Sequence, residues 1–429
     1  MQRESGIKWL FMDLNSYFAS VEQQENPMLR GKPVAVVPME TDYTCAIAAS
    51  YEAKAYGVTT GTIITDAKKM CPHLHCTLAK HDLYVAYHHK IIEEVINHTP
   101  INKIWSIDEL SSRLPPNKRN IDAAHIIARN IKAGIHHNVG EAIHCSIGFA
   151  PNSLLAKIAC EMNKPDGLTI LTQEALPGPL LNLKLTDLPG IGKNMARRLS
   201  KSGITSIQDF WDIEPAHARK IWGSVQGERF WYLLHGYDIE SQPTKPSMIG
   251  HSRVLDPKLR TPEKARLILR KLVMKAAHRL RKKELNTRTI SVSLRTKSGY
   301  KTSDTLSIQA TQDPFTLLQY TDTLWRNIMQ NIAHNTHADD HNATIKKISV
   351  VFSNLVTPDM ITDDLFLSAA HNEGVQSLKN EALTQALEKL QHKYKKEVVS
   401  LGIPPKTSAG YVGTKIAFAR VPDTEEFWS

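Results

Sequence analysis

The chain has 429 residues, 41% of them hydrophobic and 22% charged, with a formal charge of +10. That length exceeds one ordinary core, so two to four modules are expected, and the composition excludes a disordered or fibrous chain. No run of about 18 uncharged apolar residues occurs, which excludes a membrane helix, and the N-terminus lacks the apolar core of a signal peptide, so a cytoplasmic address is expected.

Residues 7 to 14 read as a buried strand, with Ile7-Lys8-Trp9-Leu10-Phe11-Met12 leading to Asp13. A helix starts at Tyr17-Phe18, and both rings lie within reach of anything bound at Asp13. A flat ring there would leave no space for an added sugar hydroxyl; Phe18 also reads as a core residue of its helix. Gly31-Lys32-Pro33 turns into the strand Val34 to Val37. In the helical stretch Ile47 to Gly57, Tyr51 and Lys54 share one face, where a hydroxyl and an ammonium are suited to a triphosphate. Five cysteines, Cys45, Cys71, Cys76, Cys145 and Cys160, are an odd number without framework spacing and fit reduced thiols. Zinc at Cys71-Pro72-His73-Leu74-His75-Cys76 is set aside, because the spacing is not that of a CxxC knuckle and no second pair follows.

An amphipathic helix covers 80 to 100, and the apolar run Ile104-Trp105-Ser106-Ile107 ends at Asp108-Glu109. A second helix near 121 to 137 leads to the strand Ile143 to Phe149, then to a helix over 154 to 162, and Lys164-Pro165-Asp166-Gly167 turns into Leu168 to Leu171. This alternation predicts an α+β sheet with helices on one side. Leu188-Pro189-Gly190-Ile191-Gly192-Lys193 reads as a hairpin whose amides at a helix N-terminus grip a phosphate without reading bases. A polar linker follows at about 239 to 249. Beyond it come a helix over 262 to 284, a strand at 289 to 295, a helix over 314 to 332 and a strand at 345 to 352, a split βαβ-like pattern. Residues 245 to 357 hold 20 Lys and Arg against 8 Asp and Glu, so this module carries the whole positive excess, as phosphate-backbone contact requires. Residues 382 to 394 read as helical, and 404 to 429 as an extended tail.

Two adjacent acids behind an apolar run repel unless a cation shares their site. If the strands ending at Asp13 and at Asp108-Glu109 lie side by side, three carboxylates converge on a hard oxygen site of the kind Mg²⁺ prefers. Any one of these acids alone reads as a solvated strand-end residue.

The order of these motifs over residues 7 to 355 resembles the Y-family translesion DNA polymerases, and among them the DinB-type branch. Met12-Asp13-Leu14-Asn15-Ser16-Tyr17-Phe18 resembles the first metal motif of the family and Ser106-Ile107-Asp108-Glu109 the second. Ser146-Ile147-Gly148, Ala156-Lys157-Ile158-Ala159 and Lys164-Pro165-Asp166-Gly167 are similar to its palm segment, and Leu188 to Lys193 to its helix-hairpin-helix. The resemblance implies an α+β multidomain right hand with the palm at 1–16 and 80–171, fingers at 17–79, a helix-hairpin-helix thumb at 172–238, a linker at 239–249, a βαβ-like little finger at 250–357 and a C-terminal tail at 358–429. It implies a low-fidelity, template-directed DNA polymerase for translesion synthesis, working by two-metal nucleotidyl transfer. Asp13, Asp108 and Glu109 would be catalytic and, with the carbonyl of Leu14, would hold two Mg²⁺ ions, with Mn²⁺ as substitute. Tyr17, Phe18 as steric gate, Tyr51, Lys54 and Lys164 would bind the dNTP, and Gly190, Gly192 and Lys193 the primer–template DNA. Asp364-Leu365-Phe366 resembles the core of a bacterial sliding-clamp peptide, without its leading Gln. Lys54 stands where the family has Arg, and Leu110-Ser111-Ser112-Arg113 where it has Ala-Tyr-Leu-Asp. The rival readings are a catalytically silent polymerase homologue that binds DNA or recruits partners, which the three acids oppose, and a plain helix-hairpin-helix protein, which leaves the acids unexplained.

Overall fold

A computed structural model of the chain describes residues 6–239, 247–335, 344–361, 371–394 and 421. Contacts divide the chain into two compact units, mainly Met1–Gln242 and mainly Pro243–Ile416. No described helix is long and apolar enough to cross a membrane.

The first unit is built around β1 (Trp9–Leu14), whose bulky apolar residues suit a buried strand. After Asn15 and a left-handed Ser16, α1 (Tyr17–Glu25) turns the chain away. A small second sheet follows: β2 (Val34–Val37) is the middle strand, with β3 (Ala48–Ala49) antiparallel on one side. Ser50 caps the short helix α2 (Tyr51–Ala55) through the Ala53 amide, so the stretch read as one helix from Ile47 is a strand, a cap and a helix. α3 (Ile64–Met70) leads to β4 (His75–Leu78), parallel to β2. Cys71 is buried beside α3 and Cys76 is exposed on β4.

α4 (His81–Ile96) returns the chain to the first sheet, where β5 (Lys103–Ile104) and β6 (Glu109–Arg113) form a hairpin. α5 (Ile121–Gly134) continues as a π turn over Ile135–Val139 and precedes β7 (Cys145–Ala150). α6 (Ser153–Met162) and β8 (Leu168–Ile170) complete this part. The sheet order is β5-β6-β1-β7-β8, with only β7 and β8 parallel.

Two details differ from the sequence reading. The strand expected to run from Ile104 into the acidic pair stops at Ile104, and pairing resumes at Glu109. Between them the amides of Trp105 and Ser106 both donate to the Glu109 carbonyl, which closes a tight hairpin and leaves Asp108 in its turn. The expectation of helices on one side also fails, since every residue of β7 is buried, which requires cover on both faces. α6 lies against one face and α5 also contacts β7 and β8. Gly148 makes the α6 contact possible: a Cβ there would stand 2.1 Å from the Ala156 carbonyl oxygen and 2.3 Å from the Cys160 amide nitrogen.

The departures after Glu109 are accommodated. Ser111 and Ser112 are fully buried and both are satisfied, Ser111 Oγ accepting from Trp105 Nε1 at 2.9 Å and Ser112 Oγ sharing a 2.7 Å bond with Thr99 Oγ1. Arg113 pairs with Asp238 at 3.2 Å, while Trp9 Nε1 donates to the other oxygen of that carboxylate at 3.0 Å.

From residue 178 the chain is helical. A 3-10 turn at Leu185–Asp187 leads through the glycine hairpin to α7 (Lys193–Lys201), then α8 (Ile207–Asp212), α9 (Pro215–Trp222) and α10 (Val225–Leu234). Leu188, Ile191, Leu199, Phe210 and Leu234 share one apolar cluster with Phe11, Leu155 and Ala159, so the α6 face of the sheet and these helices are a single core.

The second unit reads β9 (Met248–Val254), α11 (Pro262–Lys282), β10 (Asn286–Thr296), β11 (Lys301–Thr311), α12 (Pro314–Asn335), β12 (Ile345–Val356). Its antiparallel sheet has the order β11-β10-β12-β9, and α11 and α12 close an apolar core over it, with Phe352 and Leu272 fully buried. The expected βαβ-like pattern is thus part of a βαββαβ unit. β9 starts at Met248, inside the stretch read as linker, and β11, which the sequence reading left unassigned, alternates exposed Lys301, Ser303, Thr305, Ser307 and Gln309 with part-buried residues, of which Leu306 and Ile308 pack on the core. α13 (His371–Tyr394) lies beyond it. Glu388 pairs with Arg281 at 2.6 Å and His278 at 3.3 Å; the bond from His278 and the Arg281 guanidinium hold its carboxyl down at about 2 against the effect of burial. Asp364, Leu365 and Phe366, and the tail expected at 404 to 429 apart from residue 421, lie outside the described residues.

The Gly148 contact is testable. Gly148→Ala is expected to lower stability by about 3 kcal/mol, because the clash is with backbone; urea unfolding of the variant against the parent measures it.

Candidate active site

Register brings the acids together. Asp13 is the partner of Glu109 across β1 and β6, and of Ser146 across β1 and β7. The Leu14 amide donates to the Asp108 carbonyl at 2.9 Å, which ties the hairpin turn to the end of β1. Buried Asn15 anchors the other side: its Nδ2 donates to Ser146 Oγ at 3.1 Å, and its Oδ1 accepts from the Asp166 amide at 2.7 Å. That bond fixes the turn that carries Lys164.

The carboxylates that come within 4.8 Å of one another are Asp13, Glu109 and Glu161. Asp108 lines the same cavity as Asp13, but its carboxylate accepts a bond from the Ser106 hydroxyl. Glu161 was missed in the sequence. The signal available was its position on α6 four residues after Lys157, which puts those two on one helical face, with Lys164 in the turn just beyond the helix. Asn15 was missed as well, and its only mark was a polar residue between apolar Leu14 and the helix.

Lysines partly offset these acids. Lys164 Nζ lies 2.7 Å from Asp13 and 2.7 Å from Glu161, and Lys157 pairs with Glu109. Burial works against the Lys164 charge, but the two carboxylates beside it hold the ammonium above its ordinary value. Burial is also the largest influence on Asp13 and pushes its carboxyl up to about 7, even with Lys164 adjacent. Four carboxylates, Asp13, Asp108, Glu109 and Glu161, thus face two ammoniums that pair with them. An all-oxygen donor set short of positive charge fits a hard divalent cation.

A cavity of about 340 Å³ opens beside the acids, lined by Leu14, Tyr17, Phe18, Tyr51, Lys54, Asp108 and Lys164 among others. It gathers all five residues expected at the nucleotide. Tyr17 is buried and donates its hydroxyl to the Tyr84 carbonyl at 2.6 Å, so its ring wall, not its hydroxyl, serves the cavity. Phe18 is half-buried, stacked on Tyr84 with centroids 4.3 Å apart and planes at 14°, which fixes the ring it shows to the cavity. Lys54 Nζ lies 4.2 Å from the Tyr51 ring centroid, and burial together with the nearby Lys164 charge holds its amine below the ordinary value. Gly190, at φ +96°, and Gly192, which caps α7 ahead of exposed Lys193, form the hairpin expected at DNA and line no part of this cavity.

Comparisons with known proteins agree on this chain. Family models match it as the impB/mucB/samB family at residues 12–161, as the C-terminal domain of that family at 246–365, and as the DNA polymerase-iota thumb domain at 186–238. It is 35% identical to DNA polymerase IV of Moorella thermoacetica over 67% of this chain and 72% of that protein. DNA polymerase IV of Exiguobacterium sibiricum is 28% identical over 75% of this chain and 90% of that protein. Among solved structures, a Y-family DNA polymerase chimera of Dbh and Dpo4 superposes with a TM-score of 0.69 at 23% identity, covering 81% of this chain and 99% of the chimera. The insertion ternary complex of Dbh DNA polymerase gives 0.53 at 24% identity, with the same coverage. The chain belongs to the DinB-type branch of the Y-family DNA polymerases, and its activity is DNA-directed DNA synthesis of the translesion type.

Proposed function

We propose that the acids around Asp13 are the catalytic centre of this polymerase and that the cavity beside them takes the incoming dNTP. The observation that carries the reading is the pairing of Asp13 with Glu109 across β1 and β6, with Asp108 in the adjoining turn and more carboxylate than ammonium in the cluster. Asp13, Asp108 and Glu109, with the Leu14 carbonyl, would hold two Mg²⁺ ions, or Mn²⁺ in their place. When bound, such cations lower the pKa of a primer 3′-hydroxyl and offset the charge that develops on pyrophosphate.

The protein's own groups do the rest. Lys164, kept by Glu161 on one side and Asp13 on the other, is placed to meet the triphosphate, and Tyr51 and Lys54 face it from α2. Phe18, braced on Tyr84, closes the cavity where a ribose 2′-hydroxyl would sit. Gly190, Gly192 and Lys193 would hold the duplex backbone, and the basic second unit would grip DNA more widely. In this scheme the palm is 1–16 and 80–171, the fingers 17–79, the thumb 172–238 and the little finger 250–357, with 358–429 as a tail and Asp364-Leu365-Phe366 as a contact for a sliding clamp. A cytoplasmic address accompanies it.

Primer extension with Mg²⁺ and four dNTPs tests the centre. Asp108→Ala and Glu109→Ala are each expected to lose about 10³-fold in kcat with primer–template binding retained; extension at the parent rate in either variant would remove that residue from catalysis. Phe18→Ala is expected to lower discrimination against ribonucleotides by about 10²-fold, read as the ratio of kcat/KM for dNTP and rNTP. Lys54→Arg restores a fork able to bind phosphate through two bonds and is expected to lower the KM for dNTP about fivefold with kcat little changed, measured in steady-state single-nucleotide incorporation.

A further inference from the structure

The edge of the first sheet has an exposed strip that the catalytic reading leaves unused. Lys103, Ile104 and Trp105 are all exposed, Ile104 at 41% and Trp105 at 38%. Sheet edges that show large apolar side chains to water invite wrong pairing and are commonly covered or charged. The indole here is firmly held: Nε1 donates to Ser111 Oγ at 2.9 Å and the Trp105 amide to the Glu109 carbonyl at 2.9 Å. A fixed, half-exposed indole is a stacking platform.

Register settles which face it occupies. Asp13 pairs with Glu109 and Phe11 with Ser111, so these four, two residues apart on each strand, share one face of the sheet. Lys103 pairs with Ser111 and therefore joins that face. The bond to Ser111 brings Trp105 there too, with its ring centroid 6.5 Å from that of Phe11. Moving outward from the acids, the face presents Lys157, 5.0 Å from the Phe11 centroid, then Trp105, then Lys103, whose ammonium lies over one face of the Trp105 ring, 3.5 Å from its centroid. In the other direction, the same face is roofed at Gly148 by α6. Among the described residues, no carboxylate forms an ion pair with Lys103.

We propose that Trp105 and Lys103 hold the primer strand immediately upstream of its 3′ terminus, the indole against a sugar or base and the ammonium against a phosphate. The proposal rests on the acids being the catalytic centre. A primer whose hydroxyl is presented to them must leave over this face of the sheet, and the β5–β6 edge is the part that α6 does not cover. An aromatic ring beside a cation without an acidic partner is the chemistry that binds a nucleic-acid strand irrespective of sequence.

Anisotropy of a fluorescein-labelled primer–template, without divalent cation or nucleotide and between about 50 and 200 mM salt, tests it in Trp105→Ala, Trp105→Phe and Lys103→Ala. Trp105→Ala is expected to bind about 10-fold more weakly. Trp105→Phe keeps a ring but loses the bond to Ser111, and is expected to stay within about threefold of the parent. Lys103→Ala is expected to flatten the log Kd against log salt slope by about 0.9. Parental affinity in Trp105→Ala overturns the proposal, as does Trp105→Phe binding as weakly as Trp105→Ala, which would make the indole a hairpin support. If Trp105→Ala does not fold, Lys103→Ala decides, and an unchanged slope overturns the proposal. This assay reads binding without chemistry, so its failure is separate from any failure of primer extension in the acidic variants.

Discussion

The structure depends on one electrostatic constraint: several carboxylates are brought together in a partly dry site, where their charge has to be offset by cations or by protons. Pairing of β1 with β6 sets Asp13 opposite Glu109, α6 contributes Glu161 and Lys157, and the turn after it Lys164. Much of the surrounding architecture serves this meeting. Gly148 lets α6 approach the sheet closely enough for Lys157 and Glu161 to reach the site, and Asn15 and Ser146 hold the turn from which Lys164 extends. The two ammoniums neutralise only part of the charge. Burial is the largest influence on Asp13 and pushes its carboxyl up to about 7 even with Lys164 adjacent.

The positions that depart from the family pattern show how the same arrangement survives substitution. After Glu109, two buried serines find partners in Thr99 and Trp105, and Arg113 pairs with Asp238. The strand carrying Glu109 is thereby satisfied by hydrogen bonds. Lys54 is the other kind of change, since it preserves charge but not the planar fork of an arginine. Its ammonium lies over the Tyr51 ring, and under the proposed function the change is expected to act on ligand affinity.

Much of this was legible in the sequence because hydrophobic runs and spaced polar residues report the local chain. The strand ending at Asp13, the helices at 81 to 96 and 262 to 282, and the grouping of Tyr17, Phe18, Tyr51, Lys54 and Lys164 around one space follow from such patterns once the resemblance supplies their order. What was hidden depends on contacts between distant segments. Glu161 looks like an ordinary helix-surface acid until α6 is laid on the sheet. Asp108 looks like a strand residue until two amides bind the Glu109 carbonyl and turn the chain. β11 has only Leu306, Ile308 and Ala310 as an apolar alternation among Lys, Ser, Thr, Asp and Gln, and its full length shows in its pairing with β10. The cover of β7 on both faces likewise becomes visible only when α5 and α6 are in place.

Under the proposed function the cluster around Asp13 holds two divalent cations. Counting Mn²⁺ by electron paramagnetic resonance, with a primer–template ended by a dideoxynucleotide and the matching dNTP present, tests it most directly. Two ions per chain in the parent, and fewer in Asp13→Asn, is the predicted result. A parent that binds no more than one, or an Asp13→Asn variant that binds two as tightly, would contradict it.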